Sequence, residues 1–135
     1  HGCFIFGFPG DTRESIEKTI DFALHLNPDT AQFYPVMVYP GTEAYDEYRA
    51  RGFIEAESWR DWLTPAGLHN CVVRNETLAP AELVRLCDRA RRRFYLRPSF
   101  LARRALAAAA SPGEMARTAR AAKTFARHLL RGSRV

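Results

Sequence analysis

Cys3-Phe4-Ile5-Phe6-Gly7-Phe8, followed at once by Pro9-Gly10-Asp11-Thr12, is the stretch that decides the fold. A nearly unbroken run of apolar, β-prone residues predicts a strand buried on both faces, as parallel strands are. Pro9-Gly10 stops it. Asp11 and Glu14 stand at capping-box spacing for a helix, with Thr12 as the rival N-cap. That helix sets Ile16, Ile20, Ala23 and Leu24 on one stripe, and Asn27-Pro28 ends it near residue 26. A second apolar strand is predicted at 31–38, completing a βαβ unit. Pro35 within it predicts a bulge or an edge position.

Beyond this unit, Tyr39-Pro40-Gly41-Thr42 reads as a turn, with Thr42 capping a short helix that carries Tyr45 and Tyr48 and closes at Gly52. Residues 53–79 lack a clean period and hold Trp59, Trp62, Pro65 and Gly67; they read as an irregular cover with a short strand near 70–73. From Pro80, Leu83, Leu86, Cys87, Ala90 and Phe94 recur with helical period, opposite Arg85, Arg89 and Arg92. Arg97-Pro98 interrupts, and a helix is predicted over Leu101–Ala110. Ser111-Pro112-Gly113-Glu114 then opens a last helix, with Met115, Ala119, Ala122, Ala126 and Leu129 set against Arg117, Arg120, Arg127 and Arg131.

The 135 residues, 47% hydrophobic and 26% charged, suit one globular domain or a piece of a larger one. Ordinary apolar content and three cysteines exclude collagen-like, disulfide-framework and disordered chains. No uncharged apolar run approaches the roughly 20 residues of a membrane-spanning helix. The chain starts at His1 with a strand and no basic leader, which predicts a mid-protein start and the C-terminal part of something longer. Residues 1–80 carry 6 basic and 12 acidic side chains, and residues 81–135 carry 14 basic and 3 acidic, suggesting an acidic body and a basic helical tail. Cys3, Cys71 and Cys87, and the four histidines, show no metal-ligand spacing, so no metal ligand is assigned. Cys3 and Cys87 read as small buried hydrophobes. The odd cysteine count points to a reducing, cytoplasmic compartment.

Ligands of parallel α/β folds bind beyond the C-terminal ends of the strands, which singles out the loops 7–12 and 39–42. Gly7 and Gly10 would let a ligand approach the backbone before a helix N-terminus, although a plain strand-to-helix turn reads the same way. A dinucleotide fingerprint is absent, as is any Ser/His/Asp set or paired-carboxylate site; Asp11 and Glu14 read as helix caps. Trp59, Trp62, Tyr39 and Phe8 would frame a large apolar substrate, or would simply pack.

Phe4 to Thr12, the helix with Glu17-Lys18-Thr19, Asn27-Pro28-Asp29, Gln32-Phe33, and Tyr39 to Glu43 with Tyr45 together resemble the late part of the radical S-adenosylmethionine core. The class resembled is the one with an N-terminal cobalamin-binding domain. The likeness covers about residues 2–54, and Arg93 to Ser99 is similar to that class's C-terminal helical extension. It implies an α/β fold, the distal part of a partial (β/α)6 TIM-like barrel followed by an α-helical extension. Residues 1–54 would be barrel strands five and six with their helices, 55–79 an irregular cover, and 80–135 the basic helical extension.

In that family a Cys-x3-Cys-x2-Cys loop holds a 4Fe-4S cluster that cleaves S-adenosylmethionine to a 5′-deoxyadenosyl radical. This sequence has no such loop, so the chain is expected to be inert alone, with the cluster ligands in the remainder of the same protein. The family's fifth-strand GxIxGxxE pattern is matched at Ile5 and Gly7, while Cys3 replaces its first Gly and Gly10 its Glu. Ile5, Gly7 and Gly10, with Val36, Met37 and Val38 of the sixth strand, are the implied adenine-side residues; Phe8, Pro9, Tyr39 and Pro40 are the substrate-side ones. An apolar strand at 3–8 suits a barrel interior that keeps water from a carbon radical. The expected function is methyl transfer, cyclisation or rearrangement of an apolar or polycyclic small molecule, with cobalamin as a further cofactor.

Two other classes compete. The basic tail would neutralise phosphates in a nucleic-acid-binding module, but it carries few aromatics and no binding motif, so no nucleic-acid partner is expected. As a cationic amphipathic helix its face is mostly Ala, which predicts only weak contact with a membrane surface.

Overall fold

Strand β1, Gly2–Phe6, pairs in parallel with β2, Ala31–Pro35, and helix α1, Arg13–Leu26, makes the crossover. These are elements of a computed structural model that describes residues 1–65, 67, 69–111, 113, 115–116, 118–120 and 122–123. Helix α2 (Glu43–Ala50), a 3-10 turn (Trp59–Trp62), α3 (Pro80–Tyr95) and α4 (Pro98–Ala110) follow. The architecture is α/β, with parallel strands alternating with helices; the described strands form a two-stranded sheet.

One face of the sheet is a dense apolar core. Phe4 and Phe6 of β1 meet Ala31 and Phe33 of β2, with the Phe4 and Phe33 rings stacked at 5.2 Å. Ile16, Ile20 and Ala23 of α1 and Leu83, Leu86, Cys87, Ala90 and Phe94 of α3 complete it. The opposite face is bare: Cys3 and Ile5 are exposed, paired in register with exposed Gln32 and half-buried Tyr34. Burial of β1 on both faces, expected from its composition, is therefore corrected. Side chains alternate across a strand, and the helices among the described residues cover one of the two faces.

β2 ends at Pro35 rather than continuing to 38. The Gly2 N–H donates to the Thr30 carbonyl at 2.8 Å, and the Val36 N–H to the Phe6 carbonyl at 2.7 Å. Even-numbered residues thus bond across the ladder, and odd-numbered ones turn their backbone groups outward. Pro35 falls on the outward side, where its missing N–H breaks no ladder bond, the edge position its presence suggested. Past it the buried residues become Val36 and Val38, out of phase with Ala31 and Phe33.

The cap of α1 is Thr12, in a reciprocal capping box with Ser15, not the Asp11/Glu14 pair. Asn27, left-handed at φ 49°, closes the helix. Thr42 caps α2 as expected. Pro98 opens α4 at its first position, three residues earlier than predicted. In place of a strand at 70–73 there are isolated antiparallel bridges, Ile54 with Val73 and Leu63 with His69. In the last predicted helix, residues 115–116, 118–120 and 122–123 are helical; Pro112, Glu114, Arg117, Ala126, Arg127, Leu129 and Arg131 lie outside the described residues.

The charge asymmetry has a structural explanation. Arg89 and Arg93 of α3 pair with Glu17 of α1 at 2.9 and 3.0 Å, Arg93 also reaches Asp21, and Glu82 receives Arg13. Two arginines of the basic helix thus lie against the acidic side chains of the helix beside it. No helix among the described residues is long and apolar enough to cross a membrane.

Candidate functional site

The loop leaving β1 is held by its own aspartate. The Asp11 carboxylate accepts the Gly7 and Phe8 N–H groups at 2.9 and 3.0 Å and the Ser15 hydroxyl at 3.1 Å. Its role is to close the turn, in place of the helix cap expected of it. The buried Asn75, from the cover, donates to the Phe8 and Asp11 carbonyls, both at 3.0 Å, and accepts the Thr77 and Leu78 N–H groups. Tyr48 of α2 donates its hydroxyl to the Gly7 carbonyl at 2.8 Å. Burial, with the Glu47 charge secondary, pushes the Tyr48 pKa up to about 12. Glu76 accepts the Gly10 N–H at 3.1 Å and pairs with Arg51.

The backbone donors that a ligand would use at Gly7, Phe8 and Gly10 are therefore already engaged. Gly7 is a packing glycine: at φ +102° its Cβ would stand 2.8 Å from Leu83 Cδ1. Gly10, at φ +82°, is open, with no atom within 4 Å of a Cβ. A phosphate-type cradle is absent from this loop, and what it does is lock the end of β1 rigidly.

The other residues of interest divide three ways. Ile5 lies on the bare sheet face, 38% exposed, in register with Tyr34. Val36 and Val38 point into the core, so only their backbone is available to a ligand, while Met37 and Tyr39 line a cavity of about 380 Å³ with Tyr34, Cys71 and Cys87. Phe8 and Pro40 are exposed and Pro9 half-buried, none of them on that cavity.

Trp59 and Trp62 stand on a separate cavity of about 490 Å³. The four-aromatic frame of Trp59, Trp62, Tyr39 and Phe8 is thus not assembled. Cys3 is exposed on the bare face, contrary to expectation; Cys87 is buried as expected. Burial raises the Cys71 and Cys87 thiols to about 11 and 12. Among the described residues no group of three or more His, Cys, Asp or Glu side chains could hold a metal ion.

Asn75, Tyr48, Tyr95 and Arg91 are the functional supports that sequence reasoning missed. Tyr95 donates its hydroxyl to the Ala31 carbonyl and accepts the Ala31 N–H, at 2.7 and 3.0 Å, and Arg91 donates to the Phe33 carbonyl. Their signal was slight: two residues four apart on the sheet-facing side of α3, and one Asn before a helix-opening proline.

No family model matches the chain. It is 36% identical over 100 residues, 74% of its length, to an uncharacterised methyltransferase of Pyrococcus horikoshii, of which it covers 21%. It is 34% identical over 61 residues, 45% of its length, to the bacteriochlorophyllide d C-8(2)-methyltransferase of Chlorobaculum tepidum, of which it covers 14%. The chain spans about a fifth or less of the relatives it matches, and its likeness is to part of methyltransferases.

Proposed function

We propose that this chain is the distal part of a radical S-adenosylmethionine methyltransferase, closing one side of a partial (β/α)6 barrel completed by the rest of the same polypeptide. The observation that carries the reading is the likeness over 74% of the chain to a methyltransferase. It favours methyl transfer over cyclisation or rearrangement, and the substrate in the bacteriochlorophyllide enzyme's name supports a polycyclic one here.

The residues fit S-adenosylmethionine on one side only. Ile5 offers an exposed apolar contact for a planar base on the sheet face that no helix among the described residues covers. The 36–38 segment contributes backbone groups, because its valine side chains are buried. Gly7 positions Ile5 indirectly, since Leu83 packs beneath it and leaves no room for a side chain there. Bound there, S-adenosylmethionine would supply the methyl group or, on reductive cleavage, the 5′-deoxyadenosyl radical. A 4Fe-4S cluster does not fit this chain, which lacks a suitable ligand group among its described residues; its ligands, and a cobalamin domain, belong to the remainder of the protein.

The test uses the complete protein, reconstituted with iron and sulfide, reduced, and given methyl-deuterated S-adenosylmethionine. Production of 5′-deoxyadenosine is the expected result, with the 135-residue chain alone producing none. Absence of 5′-deoxyadenosine from the complete protein, or its formation by this chain alone, would overturn the proposal.

A further inference from the structure

Both tryptophans of the chain stand on the 490 Å³ cavity between α2 and the 3-10 turn, a volume within the roughly 300–1,000 Å³ of small-molecule sites. Trp59 and Trp62 lie 6.2 Å apart at 33°, and Trp62 and Tyr45 6.5 Å apart at 35°. Three rings in sequence, each within about 35° of parallel to the next, line this one cavity. Rings this close leave no gap for a cation to be caged between them; they suit a flat, extended π-system laid along them.

Trp59 is 66% exposed, an unusual position for an indole, and it is not needed to hold its own turn. That turn is fixed by Asp61, which accepts the Glu57 and Ser58 N–H groups at 2.9 and 2.8 Å, and by Ser58, whose Oγ accepts the Arg60 N–H. The indole is presented by a preorganised support. Arg49 lines the same cavity one helical turn after Tyr45. Its guanidinium makes no ion pair or hydrogen bond among the described residues, whereas Arg51, two residues on, is held by Glu47 and Glu76. Glu57 also lines the cavity and disfavours a second acidic group on the ligand.

We propose that this cavity binds a planar, multi-ring molecule bearing a single carboxylate, the rings on the Trp59–Trp62–Tyr45 wall and the carboxylate on Arg49. The site is distinct from the Ile5 face; its ligand class deepens the polycyclic-substrate reading above and rests on it, while a binding test run without turnover separates failure of the site from failure of the methyl-transfer reading. The test titrates pyrenebutyrate, a four-ring monoacid, and the uncharged pyrenebutanol into the complete protein, following pyrene anisotropy without S-adenosylmethionine or reductant.

Saturable binding of the acid is expected, about tenfold or more tighter than the alcohol, the scale of one charge-assisted hydrogen bond. Arg49→Gln should bring the acid to the level of the alcohol and leave the alcohol unchanged. Trp59→Ala should weaken both by roughly tenfold, an aromatic contact's worth, with the thermal melt unchanged. Absence of saturable binding, equal affinity for acid and alcohol, or a Trp59→Ala variant that melts lower without losing affinity would overturn the proposal; the last would mean that other parts of the polypeptide cover the wall.

Discussion

The two outer edges of the sheet differ in what meets them. Along β2, Tyr95 satisfies both backbone groups of Ala31, Arg91 takes the Phe33 carbonyl, and Pro35 has no N–H to offer. Along β1, the outward groups belong to Cys3 and Ile5, beside a face that no helix among the described residues covers. A sealed edge has no backbone groups left to pair, and an open one keeps a row of them available to another strand. The difference teaches that the two edges are not equivalent: α3 closes the β2 edge, while the β1 edge, where Ile5 stands, is the one left able to pair.

The sharpest way to break the contrast between the two faces is to truncate one residue on each. Phe33→Ala removes a fully buried ring in contact with Phe4, Phe6 and Phe94, and should cost about 3–5 kcal/mol in denaturant unfolding of the chain. Ile5→Ala on the bare face should cost under about 1 kcal/mol in the same assay, because much of its side chain is already solvated. Equal losses would mean that the two faces are not different.

Asn75→Ala comes next. It leaves the Thr77 and Leu78 N–H groups without their acceptor and takes one of two donors from each of the Phe8 and Asp11 carbonyls, which keep the Asp11 N–H and the Thr77 hydroxyl; a loss of about 2–4 kcal/mol is expected. Asn75→Asp should not restore it, because the carboxylate cannot donate to the Phe8 and Asp11 carbonyls.

Tyr95→Phe unseals the closed edge alone. About 1–2 kcal/mol should be lost, with faster hydrogen exchange at the Ala31 amide and no change at Cys3 and Ile5. If the β1 amides respond equally, the edges are coupled and the contrast fails.

The smallest effects are titrations. Glu76 is lowered first by the Gly10 N–H and then by lesser contacts that include Arg51, and Asp61 first by the Ser58 N–H. Depressed carboxylates contribute stability that is complete above their ordinary range and lost as pH falls through their folded values. Glu76→Gln should therefore flatten the acid limb of a stability–pH profile slightly. At the alkaline end, Tyr48, raised from about 10 to about 12, contributes stability that is complete below pH 10 and lost as the pH rises towards 12. Tyr48→Phe should remove that part of the slope.

Periodicity made the backbone plan legible. The apolar run at 3–8, the stripe of α1, the turn at 39–42 and the 3.6-residue period of α3 each recorded one local choice, and each element forms. What stayed hidden depends on contacts between distant residues. The reach of Arg89 and Arg93 back to Glu17, across more than 70 residues, ties the start of the basic segment to α1. Asp11 stands at cap spacing, yet the adjacent Thr12 and Ser15 satisfy the helix and free it for the turn. The bare face of β1 was illegible because its residues are as apolar as those of a doubly buried strand.

Ile5 gives the most direct test, with S-adenosylmethionine affinity and thermal melt measured together on the complete protein and its Ile5→Ala variant. The expected result is a loss of affinity of roughly tenfold or more, at about 1.4 kcal/mol per tenfold, with the melt nearly unchanged. An unchanged affinity with a lowered melt would place Ile5 in the core and contradict the assignment of the open face to the ligand.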